Sequence, residues 1–418
     1  MWRLLHAGPN IDYLRVCLRF WDEHLNGNKT DSAEEPKLRV YLQDAARPGE
    51  CDVRPGKWLQ TPGWPDSSVE TRRFVLGAFE LLNESQADDV TPTWQRVPFS
   101  MQCGQTHGEW LHFGFKGQSA SDQRANDAFS FCSTTQPLTQ ELAILGFPSL
   151  RCSVRLNNSD RGLLAARLVD VWPDGSATLI THGLLNLTHR RGHDEESVQL
   201  LEPGKEYDVT VKLHSCAYVV PQGHQLRLSL SACYWPSAWP THKAVEMEVR
   251  VGKQGEALSE LLVPEASDVK DYSDELFNVS SPSIGPELPF KYLKDEENEM
   301  KNEHDFVNGT LTKTIVRDGG LRHFPSLNAA FQHRYVERYT CSLDSTSTPK
   351  SETSHENRFE YDDVMDDAGN SVQILVTSTS ELTADEKNLM FEANVKAELN
   401  QEVVFEKKWK ENIEKKFF

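Results

Sequence analysis

From residue 37 onward the apolar residues recur at every second position, and this period constrains the chain more than any motif in it. KLRVYLQD (37–44), RCSVRL (151–156), DVTVKL (208–213), QLRLSLS (225–231) and VEMEVRV (245–251) all alternate in this way, as strands with one face on a core do. The connections carry matching turn chemistry. Pro203-Gly204 suits a type II turn, which needs a positive φ at its glycine, and Pro173-Asp174-Gly175 suits a type I turn. Many short strands joined by such turns indicate a β-sandwich or jelly roll.

A different period precedes the strands. After Pro9, residues Ile11, Leu14, Leu18, Trp21 and Leu25 recur at three and four, with Asp12, Arg15, Arg19, Asp22 and Glu23 mostly between them. Gly27 then supplies a helix stop. Beyond the first strand-rich body, residues 265–305 hold 12 acidic against 4 basic groups together with Pro282, Pro286 and Pro289, a composition that reads as a linker. Strand patterns return in LTKTIV (311–316), VERY (336–339), VQILVTS (372–378) and MFEANVKAELN (390–400). In the last of these Phe391, Ala393, Val395, Ala397 and Leu399 alternate with polar residues. DSTSTPKSETSHEN (344–357) reads as an exposed loop among them. The expected organisation is a helical segment over 1–36, a sandwich over 37–264, an acidic linker over 265–305 and a distal β-sandwich over 306–418.

With 418 residues, 38% of them hydrophobic, the chain has ample material for such cores. Its formal charge of −19 argues against a nucleic-acid partner, because counterion release from phosphates needs a basic stripe. No window approaches eighteen consecutive apolar residues, and MWRLLHAGPN lacks a signal-like apolar core, so no membrane partner is expected. The eight cysteines (17, 51, 103, 132, 152, 216, 233, 341) form no CxxC and no short Cys/His spacing, and are expected to be reduced packing thiols. Their even number, with six Asn-x-Ser/Thr sequons at Asn28, Asn83, Asn157, Asn186, Asn278 and Asn308, leaves a disulfide-bonded secreted glycoprotein as the alternative.

The common catalytic cassettes are absent. There is no G-x-S-x-G elbow, no βαβα alternation to carry one, no phosphate-binding glycine motif and no HExxH. His182, His189 and His193 lie close in sequence, but residues 182 and 189 of a strand point to opposite faces and nothing completes a ligand set. Neither a metal nor a cofactor is expected. His107 and His112 in HGEWLH read as hydrogen-bonded packing residues. DDVMDDAGN (362–370) lacks the alternate-residue spacing of a calcium loop and reads as a hairpin turn around Asp367-Ala368-Gly369-Asn370. The Trp-Pro pairs at Trp64, Trp172, Trp235 and Trp239 read as fillers at strand ends, where proline stops pairing. The alternative is a lectin-like surface whose aromatics stack on sugar rings.

Several long segments resemble one family. SDQRANDAFSFCSTTQPLTQELAILGFPSL (121–150), RLVDVWPDGSATLITHGLLNLTHR (167–190), LEPGKEYDVTVKL (201–213) and AYVVPQGHQLRLSLSACYWPSAWP (217–240) are similar to the C-terminal region of X-Pro dipeptidyl-peptidase and cocaine-esterase type serine hydrolases, the CocE/NonD group. LRFWDEHLNG (18–27), EEPKLRVYLQD (34–44) and GKWLQTPGWP (56–65) extend the resemblance upstream, and it continues more weakly through the distal segment. It implies a mainly β fold: a galactose-binding-like jelly roll, preceded by a short helical remnant of an α/β-hydrolase domain and followed by a second β-rich domain.

In that family the α/β-hydrolase domain holds a Ser-Asp-His triad, while the jelly roll packs on it, helps wall the substrate pocket and often supports oligomers. The helix over 11–25 resembles the last helix of the catalytic domain, which places the triad ahead of this chain. The family's catalytic histidine lies in a Gly-Pro-Trp-x-His type loop, for which Met1 leaves no room, and His6 in LLHAGP aligns after that loop. No catalytic, cofactor-binding or metal residue is therefore assigned. The resemblance implies a non-catalytic C-terminal portion whose partner is an α/β-hydrolase domain, in cis if upstream sequence exists, with a homo-oligomer as a further partner. Dipeptidyl-peptidase or ester and acyl hydrolysis would belong to that domain. The alternative is a stand-alone β-sandwich that binds carbohydrate or protein without catalysis. The two differ at the helix, whose apolar residues need a partner surface and should be exposed in the chain alone.

Overall fold

The computed structural model describes residues 11–30, 32–50, 52, 54–110, 116–254, 257–277, 283 and 285–417. The chain divides into two compact units, one of residues 1–237 with 245–285 and the other of residues 238–244 with 286–418.

The first unit is built on two sheets. A four-stranded antiparallel sheet runs in the order Ala177–Asn186, Leu163–Val171, Gln225–Ser231, Phe131–Thr134. A twelve-stranded sheet contains Leu142–Gly146, Ser149–Leu156, Glu206–Lys212, Cys216–Val220, Met247–Val251 and Glu260–Ala266 among its strands, and one of its pairings, Leu38–Gln43 with Cys216–Val220, is parallel. Alternation decides what faces inward. Leu164, Ala166, Leu168, Leu226, Leu228 and Leu230 of the smaller sheet join Leu142, Ile144, Leu150, Val154, Leu156, Val249 and Val251 of the larger in one buried cluster. This is the sandwich expected from the period of two. Gly204 (φ 79°) takes the left-handed conformation that the Pro203-Gly204 turn demands, and Lys205 N donates to Glu202 O across it.

The second unit is β-rich, as expected beyond residue 306. Its strands lie in a single nine-stranded antiparallel sheet, which runs from Lys291–Lys294 through Leu321–Phe324, Ala329–Ser342, Lys350–Met365, Ser371–Ala384 and Asn388–Leu399 to Glu402–Glu414. Glu297–Asp305 and Thr310–Asp318 join it beside Ala329–Ser342. An alternating strand states which face is apolar but not what covers it, so the same pattern serves one layer or two.

Two expectations do change. The acidic stretch 265–305 holds the last two residues of Glu260–Ala266 and strand Lys270–Asp271 in the first unit, and Lys291–Lys294 and Glu297–Asp305 in the second, so only its middle connects units. Within 344–357, read as a loop, residues from Lys350 onward are strand. Their Ser, Thr and Glu side chains are tolerated because both faces there are only partly buried, and Thr353 and Ser380 hydrogen-bond across strands at 2.7 Å. The hairpin expected at 367–370 is present: Asp366 Oδ1 accepts from the N–H groups of Ala368 and Asn370 between strands Lys350–Met365 and Ser371–Ala384.

Candidate functional site: an outward-facing helix and an aromatic cavity

The expected helix forms over Tyr13–Asn26 and is called α1. Asp12 caps it, and Gly27 (φ 69°) closes it in the left-handed conformation with its N–H on Asp22 O. α1 is attached to its unit through the polar flank. Arg19 pairs with Glu35 and with Asp274 (3.4 Å), Arg15 with Glu275 (3.4 Å), and Glu23 Oε2 accepts from Thr30 Oγ1 (2.6 Å) and from Ser32 N and Oγ. Those hydrogen bonds, led by Thr30, hold the Glu23 carboxyl at about 2. Ile11 and Val16 add an apolar foothold on the Trp58, Leu276 and Phe277 cluster.

The apolar flank points the other way. Leu14, Leu18, Trp21 and Leu25 follow one another at four, three and four residues, and are 47%, 60%, 52% and 73% exposed. No residue of α1 is buried. A helix normally seats its apolar stripe and wets its charges, and this one does the reverse.

A cavity of about 480 Å³ lies elsewhere in the first unit, lined by Tyr41, His107, Trp110, Thr181, His182 and His214 among others. Segments far apart in the sequence supply the rings. His182 stacks edge-on with His107 (4.4 Å between centroids), His214 (4.9 Å) and Trp110 (5.2 Å). Buried His107 places Nδ1 3.0 Å from Tyr234 Oη. Thr181 Oγ1 donates to His214 O (2.8 Å), and His214 N donates to His182 O (2.9 Å), which draws residues 181–183 and 212–214 together. A Cβ on Gly183 would meet Lys212 O at 2.2 Å, so only glycine permits that approach.

Burial first, then the charges of His214 and Arg167, push the His182 imidazole down to about 4, so it is neutral at pH 7. The unfolded chain takes up a proton below its ordinary value near 6.5, and the folded chain does so only near 4. Stability is therefore lost as pH falls through that window. Urea midpoints measured from pH 7.5 to 4.5 should fall more steeply for the native chain than for His182→Gln, a difference of about 2 kcal/mol once partial solvent access is allowed for. Equal slopes would show that His182 titrates normally.

The other singled-out residues fall apart in space or into packing. His189 and His193 meet each other on the surface (Nδ1 to Nδ1, 3.1 Å) and not His182. Among the described residues no group of three His, Cys, Asp or Glu side chains could hold a metal ion. His6, His112, Cys51 and Asn278 lie outside the described residues. The described cysteines are thiols, and burial raises those of Cys152, Cys216 and Cys341 to about 12. Trp235 is 1% exposed and Trp172 lies under the Arg47 guanidinium (4.0 Å), whereas Trp64 is 43% exposed.

A base-and-orienter pair does occur. Buried Asp170 lies 2.8 Å from His224 Nδ1 and accepts from Tyr218 Oη at 2.8 Å, but no described serine or cysteine hydrogen-bonds the other ring nitrogen of His224. Without a nucleophile the pair serves as a buried fastening between strand Leu163–Val171 and the turn before Gln225–Ser231.

The fold and these sites can be set beside known proteins. The family model of the X-Pro dipeptidyl-peptidase C-terminal non-catalytic domain matches residues 30–258. The chain belongs to this family. It carries the non-catalytic C-terminal domain of CocE/NonD-like hydrolases. Over 232 residues it is 24% identical to the cocaine esterase of Rhodococcus sp. (strain MB1 Bresler), a match covering 52% of this chain and 37% of that one. Among solved structures it is similar to an aminopeptidase from the marine sediment archaeon Thaumarchaeota archaeon (16% identity, 60% of this chain and 43% of that one, TM-score 0.47). It is also similar to a CocE/NonD family hydrolase from Staphylococcus aureus (14% identity, 60% and 45%, TM-score 0.43). The chain spans less than half the length of each of these relatives.

The helix face is legible in the sequence because a 3.6-residue period needs only local residues. The cavity is not. His107 is the buried, hydrogen-bonded packing residue that its sequence reads as, but its place in the cavity is not legible, since no local spacing relates 107, 182 and 214.

Proposed function

We propose that this chain acts as the docking and pocket-walling portion of a CocE/NonD-like serine hydrolase, seated by α1 against an α/β-hydrolase domain that carries the Ser-Asp-His triad. The observation that carries the reading is the reversed seating of α1: its charges are fastened to its own unit while Leu14, Leu18, Trp21 and Leu25 face outward. Burying each of those side chains fully is worth about 1.5–3 kcal/mol, enough to fix a domain interface. Dipeptidyl-peptidase or ester and acyl hydrolysis then belongs to the docked domain, and this chain contributes shape and assembly.

The second reading, a stand-alone binding module, draws on the cavity at Trp110, His182 and His214. One experiment separates the two. The purified chain is assayed with Xaa-Pro-chromophore and ester substrates and a fluorophosphonate probe, alone and co-expressed with an α/β-hydrolase domain encoded in frame upstream of Met1. The expected result is no turnover and no labelling alone, and co-elution with the labelled domain when co-expressed. A labelled serine within residues 1–418, or the absence of any upstream hydrolase segment that co-elutes, would overturn the reading.

A further inference from the structure

The last strand, Glu402–Glu414, ends the nine-stranded sheet, and among the described residues no strand pairs with its outer edge. All thirteen of its residues are exposed, and it contains no proline. A register shift interrupts its pairing with Asn388–Leu399 only at Val404, between Val403 and Phe405. Such an edge presents a continuous row of unpaired backbone N–H and C=O groups, a template for another strand.

The register with Asn388–Leu399 sets Phe405, Lys407, Trp409, Glu411 and Ile413 on one face, opposite Ala397, Val395, Ala393, Phe391 and Leu389. Taken outward from Trp409, this face is symmetric in shape and antisymmetric in charge. Lys407 stands two residues before it and Glu411 two after; Phe405 and Ile413 stand four away on either side. The three apolar members are 51%, 38% and 49% exposed at Phe405, Trp409 and Ile413.

We propose that this edge pairs antiparallel with the same edge of a second copy of the chain, with the two-fold axis at Trp409, so that one sheet runs through both copies. Trp409 then faces Trp409 of the second copy, Lys407 faces Glu411 twice, and Phe405 faces Ile413 twice. Lysines on an edge usually deter pairing, but here each lysine of this face meets a carboxylate. On the opposite face Lys408 meets Lys410, and both are already neutralised at home, Lys408 by Glu406 (3.0 Å) and Lys410 by Glu392. The strand carries four glutamates against three lysines in a chain of net charge −19, so this edge is close to neutral and two copies repel little across it.

Sedimentation velocity and light scattering on the full chain test this. The native chain should reach twice the monomer mass. Lys407→Glu and Glu411→Lys each set like charges opposite one another twice, and each should weaken the dimer about tenfold or more. The charge-swapped double variant restores the complement and should return to within about threefold of native affinity. Both changes lie on an exposed edge, and circular dichroism checks that folding is unaffected. Leu18→Glu on α1 should leave this dimer intact. A monomer at every concentration, a dimer that neither single change weakens, a double variant that does not recover, or a dimer abolished by Leu18→Glu would each overturn the proposal.

Discussion

Replacing Asp127 by Ala should cost the first unit about 3–5 kcal/mol, as much as truncating a large core side chain, because it strips the counter-charge from a fully buried guanidinium. Arg167 is 0% exposed. Its Nη2 pairs with Asp127 Oδ1 (3.0 Å) and donates to Ser130 Oγ (2.7 Å), and Nη1 donates to Gln123 Oε1 (2.9 Å). Asp127 also pairs with Arg227 (2.8 Å) and accepts from Ser229 Oγ (2.8 Å). One carboxylate thus ties the short helix Arg124–Asp127 to strands Leu163–Val171 and Gln225–Ser231. Arg167→Met should cost less, since Asp127 keeps Arg227 and Ser229 and a buried charge leaves with the arginine. The order of the two variants is the test. Tryptophan fluorescence during thermal unfolding reads this unit, because all but Trp239 and Trp409 of the ten tryptophans belong to it. The Asp127→Ala midpoint should fall by about 10 °C or more. A fall smaller than that of Arg167→Met would show that Arg167 finds another counter-charge.

Arg167 also marks where sequence reading stops. In strand Leu163–Val171 the residues Leu164, Ala166 and Leu168 alternate inward as their period requires, and a reader of the pattern would place Arg167 in water. It is buried because residues 103–110 and 116–130 cover the outer face of that sheet, with Cys103 packed on Ala165 and Gln123 hydrogen-bonded to Arg167. That covering is a long-range event with no local period. The distal unit shows the same division: Phe391, Ala393 and Val395 announce an apolar face, yet nothing in them states whether a second layer covers it. α1 is legible in its stripe and its Gly27 stop, which lie within a few turns of one another, whereas Asp274 and Glu275, which seat its polar flank, come from far along the chain.

That legibility makes α1 the place where docking and stability can be separated. Leu18→Glu with Trp21→Glu alters two side chains that are 60% and 52% exposed and touch no buried cluster, so the unfolding midpoint should stay within about 0.5 kcal/mol of native. The same double variant should remove binding of an apolar dye to this face. It should also weaken association with the α/β-hydrolase domain about a hundredfold or more, because two large apolar side chains leave the interface and two charges are set against an apolar partner. Arg19→Ala works on the other flank. It breaks the ties to Glu35 and Asp274 that hold the helix to its own unit, and should make α1 the first segment cut by protease while the stripe itself is unchanged. Weak docking with full stability on one flank, and weak anchoring on the other, is the signature of a helix fastened by its charges and offered by its leucines. If the stripe variant instead cost as much stability as a core truncation, Leu18 and Trp21 would be packed within this chain, and α1 would have no face left to dock.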